Sequence, residues 1–65
     1  MLRTIVSDTA VYDAPGGSPV GDNKVTAGQT WFVNPTPVTA GGQSWTEIFV
    51  AGDLNGFVPT SCVGG

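Results

Sequence analysis

Two runs of strand-forming residues, Trp45-Thr46-Glu47-Ile48-Phe49-Val50 and Phe57-Val58-Pro59, flank the segment Ala51-Gly52-Asp53-Leu54-Asn55-Gly56. Trp, Ile, Phe, Val and Thr suit a pleated, half-buried surface. The segment between them carries an Asn-Gly pair, whose residues both tolerate positive φ and so favour a tight hairpin. The spacing therefore predicts a β-hairpin turning at Asn55-Gly56. The same punctuation recurs upstream. Pro15-Gly16-Gly17-Ser18-Pro19, Ala27-Gly28-Gln29, Asn34-Pro35-Thr36-Pro37 and Gly41-Gly42 break the chain at short intervals. From Pro15 onward, no ten consecutive residues lack both Gly and Pro, so helices have little room.

Between these corners lie short extended runs. Thr4-Ile5-Val6 reads as an opening strand and Ala10-Val11-Tyr12 as a second, leading into an irregular loop from Asp13 to Pro19. Val20 to Val25 reads as a strand broken at Gly21 and Asn23, and Thr30-Trp31-Phe32-Val33 as the next strand, ended by two prolines that remove ladder donors. Val38 to Ser44 is a hairpin connection of variable length around Gly41-Gly42, and Pro59-Thr60-Ser61-Cys62 forms one short 3₁₀ turn before Val63. About five short strands with turns every eight to twelve residues predict an all-β fold, a small barrel or two packed sheets. Residues 1–65 make one domain, with 64–65 as a flexible tail. A chain of this size buries only about 60% of its unfolded surface, so its core is small and its stability modest.

Charge narrows the partners. Asp8, Asp13, Asp22, Glu47 and Asp53 outweigh Arg3 and Lys24, for a net charge of −3. Affinity for nucleic acid or anionic lipid comes from clustered Lys and Arg, so neither is an expected partner. An acidic rim instead attracts a cationic peptide or amino sugar. No apolar stretch has the roughly 20 residues that cross a bilayer as a helix, so membrane insertion is not expected. The chain opens without the basic start and long apolar segment of a signal peptide. A complete small protein and a module cut from a longer secreted one both stay open. The compartment follows that choice: extracellular or cell envelope for an excised module, virion or cytoplasm otherwise.

Catalytic chemistry finds no footing. The chain has no His, and Ser7, Ser18, Ser44 and Ser61 have no Lys or His nearby in sequence to activate them. Cys62 is the only cysteine, which excludes an internal disulfide and a cysteine-rich metal site and reads as a buried, inert thiol. Asp8, Asp13 and Asp22 are scattered through turns without the density of a calcium loop. The expectation is a non-enzymatic chain without cofactor or metal. An enzyme assembled across a symmetric oligomer is the remote alternative.

Taken in order, several segments resemble the bacterial Src-homology-3-type domains, often called bacterial SH3 domains. Val11-Tyr12-Asp13-Ala14-Pro15 is similar to the family's opening strand and its Ser/Ala-Pro loop, and Ala27-Gly28-Gln29-Thr30-Trp31-Phe32-Val33 to the following Gly-turn-strand. Trp45-Thr46-Glu47-Ile48 resembles the Trp-x-x-Val strand, and Asn55 to Val63 the closing Gly-Trp-Val with its Ser-rich turn and apolar last residue. The chain departs from the pattern at Val11-Tyr12-Asp13, where Asn-Val-Arg is common, and at Phe57, where the family has Trp. The resemblance covers nearly the whole chain. It implies a five-stranded SH3-like barrel that targets peptidoglycan or contacts other proteins.

The rings are then the candidate ligand contacts. Trp31 and Val33 share one face of their strand, which leaves Phe32 on the other, either packed under the 34–44 loop or part of an exposed apolar patch. Alternation puts Trp45, Glu47 and Phe49 on one face of the next strand. With Glu47 facing water, Trp45 is at least partly exposed unless a bulge rotates it inward, and either covers the barrel end or stacks on a ligand. Tyr12 offers a ring and hydroxyl at a groove edge, and Asp13 and Asp22 offer carboxylates that either accept from a ligand or cap their own turns. The candidate ligand-binding set is Tyr12, Asp13, Phe32, Trp45 and Phe57. Its expected role is to bind cell-wall glycan or peptide, or a protein partner. The alternative is a phage or surface component that buries the same rings against copies of itself or a neighbouring subunit.

Overall fold

The computed structural model describes residues 1–51 and 54–64, with the side chains of Val50, Ala51 and Leu54 outside the description. It is an all-β, antiparallel structure. Among the described residues eight strands follow one another: β1 (Leu2–Ile5), β2 (Thr9–Tyr12), β3 (Pro19–Val25), β4 (Thr30–Val33), β5 (Val38–Ala40), β6 (Gln43–Ala51), β7 (Leu54–Pro59) and β8 (Val63–Gly64). A 3₁₀ turn, Thr60–Cys62, precedes β8 at the expected place. The strands lie side by side in the order β3-β2-β7-β6-β4-β1-β8, with β5 paired to β6 off that path. The count exceeds the expected five because short runs beside Gly and Pro still find a partner. Val20 to Val25, expected to break at Gly21 and Asn23, belongs to the single strand β3.

One β-branched residue from each of six strands builds the core: Ile5, Val11, Val25, Val33, Ile48 and Val58, with Trp31 and Val63 packed against them. Stiff χ1 rotamers make these side chains cheap to order on a pleated surface. Val25 of β3, at one end of the strand order, and Ile5 of β1, next to the other end, share the cluster. The sheet therefore curls around its apolar face, in keeping with the right-handed twist of strands. Gly64, expected in a flexible tail, is paired with Thr4 of β1 instead, beside the Ile5–Val63 pair. Apolar Val63 and its backbone ladder hold it there. Cys62 is half-buried rather than buried, because it ends the 3₁₀ turn at the edge of this core.

The β6–β7 hairpin forms, but Asn55-Gly56 is not its turn. Phe49 pairs with Asn55, Ile48 with Gly56 and Ala51 with Leu54, so both residues sit inside β7. The connection falls on residues 52 and 53, outside the described residues. Tertiary packing displaced the turn: Gly56 faces the core, where Val11 of β2 occupies the space a side chain would need. The tight two-residue turn lies one hairpin earlier. Gly41 and Gly42, at φ +61° and +77°, join Ala40 directly to Gln43, as a turn with two left-handed positions requires.

Candidate functional site

Residues directly opposite one another in an antiparallel sheet project to the same face. The face turned away from the core can therefore be read from the register. Leu2 of β1 opposes Phe32 of β4, Phe32 opposes Phe49 of β6, and Phe49 opposes Asn55 of β7. One step along β6, Glu47 opposes Phe57, which in turn opposes Tyr12 of β2. One step further, Trp45 lies between Val38 of β5 and Pro59 of β7. Four of the five candidate residues, Tyr12, Phe32, Trp45 and Phe57, thus share one outer face.

Their exposure differs. Phe32 is 61% exposed and stands beside Leu2 at 53% and Phe49 at 42%, so it joins an open apolar patch rather than tucking under the 34–44 loop. Tyr12 and Phe57 are half-buried. Trp45 departs from expectation: it is 6% exposed. No bulge turned it inward, since the register between β6 and β7 is continuous from Trp45 to Phe49 and shifts only beyond it. It stays on the Glu47 face and is covered there. The Tyr12 ring meets it edge-on, with centroids 5.1 Å apart and planes at 70°, a favoured geometry for aromatic pairs. Its Nε1 is buried without a hydrogen-bond partner. Such an orphan costs roughly 1–3 kcal/mol.

Asp13 is placed differently from the rings. It is exposed at the start of the Gly-rich loop, where Oδ1 accepts from the Ser18 amide at 3.0 Å, while the Asp13 amide donates to the Ser18 carbonyl at 2.9 Å. Its carboxylate caps its own loop. Asp8 does the same at longer range, accepting from the Ala27 amide at 2.8 Å. Trp31, on the core side of β4, donates from Nε1 to Gln29 Oε1 at 3.2 Å.

Glu47 acquires partners that only pairing reveals. The Asn34 side-chain amide donates to Oε1 at 3.3 Å and the Asn55 amide to Oε2 at 3.2 Å, and the Asn34 backbone amide donates to the Glu47 carbonyl at 3.0 Å. Glu47 is half-buried and lies between the Phe49 and Trp45 rows. Leu2, Phe49, Asn34 and Asn55 were absent from the candidate set. Alternation along β6 already grouped Phe49 with Glu47, whereas the Asn contacts come from residues 13 and 8 positions away.

The opposite side of β6 carries a chain of hydroxyls. Thr60 Oγ1 bonds Ser44 Oγ at 2.8 Å and Thr46 Oγ1 at 2.9 Å, and Thr46 is buried. Nearby, a hollow of about 240 Å³ is lined by Arg3, Val33, Pro35, Pro37, Thr46 and Thr60 among others. Its lining contains no carboxylate or thiol that would serve acid–base or nucleophilic chemistry. Among the described residues no group of three or more His, Cys, Asp or Glu is placed to hold a metal ion, and no helix is long and apolar enough to cross a membrane. Compared with known proteins, the chain matches no family model, no curated protein and no solved structure.

Proposed function

We propose that this protein is a non-catalytic binding module on a small SH3-like barrel, which takes peptide material, including the peptide-bearing polymer of the cell wall, across its outer aromatic face. The observation that carries the reading is the continuity of that face. Exposed Phe32 and Phe49 run into the Tyr12–Trp45 pair and Phe57 without an intervening loop. Rings present large, stiff contact area at little entropic cost, and they suit both proline-rich or extended peptides and the CH faces of sugars. The curl of the sheet around one core and the sequence resemblance support the barrel. Asp13 supports the site from behind by holding the loop next to Tyr12.

The test is retention on purified peptidoglycan. Wild type is expected to co-sediment with the insoluble polymer, and Tyr12→Ala and Phe32→Ser to lose most of that retention while keeping the wild-type circular dichroism spectrum. Equal retention of both variants refutes this placement of the site.

A second reading, self-association, is favoured by the Leu2–Phe32–Phe49 row alone. Three half-exposed side chains of this size present on the order of 300 Å², well below the roughly 800 Å² per partner of a stable dimer. A mass that rises with concentration in sedimentation at micromolar protein, and falls back in Phe32→Ser, would establish the assembly role instead.

A further inference from the structure

Glu47 sits where an apolar face would be expected to exclude it. Along β6 the outward positions read Trp45, Glu47, Phe49, and each heads a cross-strand row: Trp45 with Pro59, Glu47 with Phe57 and Tyr12, Phe49 with Phe32 and Leu2. A carboxylate is the one charged group in these three rows. Among the described residues its side chain is held by two neutral amides, from Asn34 and Asn55, one on each oxygen. Those amides fix the carboxylate in place without neutralising it. A carboxylate accepts about four hydrogen bonds, so each oxygen keeps a lone-pair direction for another donor.

We propose that Glu47 and the rings beside it form a subsite for one lysine or arginine side chain, within an extended peptide of the pattern apolar, any, cationic, any, apolar. The inference rests on the binding-module reading and adds the chemistry of the ligand. Charge complementarity selects the occupant: among the described residues these three rows carry a single carboxylate, held by neutral amides, no row contains Lys or Arg, and the chain as a whole carries −3. Phe49, the next residue on the same face of β6, and Phe57, directly opposite on β7, flank the carboxylate, and aromatic rings suit the stem and head of a cation. Spacing selects the pattern. Rows two residues apart on β6 are separated by about 7 Å, and alternate side chains of an extended peptide repeat at the same distance. A cation over Glu47 therefore puts its second neighbours over the Phe49 row and over Val38 and Pro59, which flank the covered Trp45.

The experiment is fluorescence polarisation with a labelled synthetic peptide, acetyl-Leu-Ser-Lys-Ser-Phe-amide, against the same peptide with norleucine in place of lysine. The wild-type protein is expected to bind the lysine peptide at least about fivefold more tightly, the scale of one partly desolvated charge-assisted contact. That preference should shrink as salt is raised. Glu47→Gln should bind the two peptides alike. Equal wild-type affinity for both peptides, or a lysine preference that persists in Glu47→Gln, overturns the cation subsite; the first comparison needs no variant to fold. If both peptides bind equally and Tyr12→Ala loses them equally, the module reading stands and the subsite falls. Failure of both peptides to bind overturns the subsite, and if retention on peptidoglycan is absent as well, the module reading falls with it.

Discussion

Gly56 lies so close to Val11 that a Cβ in place of its hydrogen would run into Val11 Cγ1 and stand 3.3 Å from the Tyr12 carbonyl oxygen. Gly56 pairs with Ile48 on the core face of β7, and Val11 of β2 fills the volume its missing side chain leaves. This contact brings β2 against β7 and so sets Tyr12 beside Phe57. Because φ at Gly56 is not in the left-handed region, alanine would be opposed by packing and not by backbone strain. Gly56→Ala is expected to cost about 1–3 kcal/mol in urea unfolding, the usual penalty of overpacking. Val11→Ala in the same background should restore part of it, giving a favourable coupling in the double-mutant cycle. Wild-type stability for Gly56→Ala would refute the contact.

The Gly41-Gly42 turn gives a backbone prediction of a different kind. Nothing lies within 4 Å of a Cβ built at either position, so space is not the constraint. With φ at +77°, Gly42→Ala should cost roughly 1–2 kcal/mol, while Gly42→Asn should lose much less because Asn visits the left-handed region. Thermal unfolding of the two variants gives the ranking. Equal midpoints would show that the turn rearranges.

Thr60 serves two hydroxyl partners, and its loss should be felt through the buried one. Thr60→Val leaves Thr46, 5% exposed, without the bond it makes at 2.9 Å. The expected loss is about 1–3 kcal/mol. Thr46→Val combined with Thr60→Val removes both ends and should cost less than the two single losses added. Strict additivity in chemical denaturation would show that the hydroxyls act independently.

Asp13 separates a loop cap from a ligand contact. Asp13→Asn retains an oxygen for the Ser18 amide, whereas Asp13→Ala does not, and the exposed cap is worth about 0.5–1.5 kcal/mol. If Asp13 acts by shaping the loop, peptidoglycan retention follows loop integrity: Asn behaves as wild type and Ala is weakened. Equal loss of retention in both variants would instead assign the carboxylate a direct contact.

Much of the architecture is legible in the amino-acid sequence. Thr30 to Val33 form β4 as read, Trp45 to Val50 lie within β6, and the 3₁₀ turn follows Pro59, because β-branched and aromatic runs bounded by Gly and Pro have few other options. The chain does not turn at Asn55-Gly56, and the reason is physical. Local preference for positive φ competed with the need of Val11 for room, and packing won. Trp45 obeys the same rule: alternation puts it on the Glu47 face, but whether that face is open there depends on Tyr12, Val38 and Pro59, drawn from three other parts of the chain.

The amino-acid order by itself determined that this chain is all-β, where its corners fall within a few residues, and which rings point away from the core, since period-two alternation is a property of single strands. Tertiary structure alone decided that Leu2, Phe32 and Phe49 stand in one row, that Asn34 and Asn55 grip Glu47 and that Trp45 is roofed. Each of these depends on the register between strands distant in sequence, which the burial of Ile5, Val11, Val25, Val33, Ile48 and Val58 in one core selects and no local preference encodes.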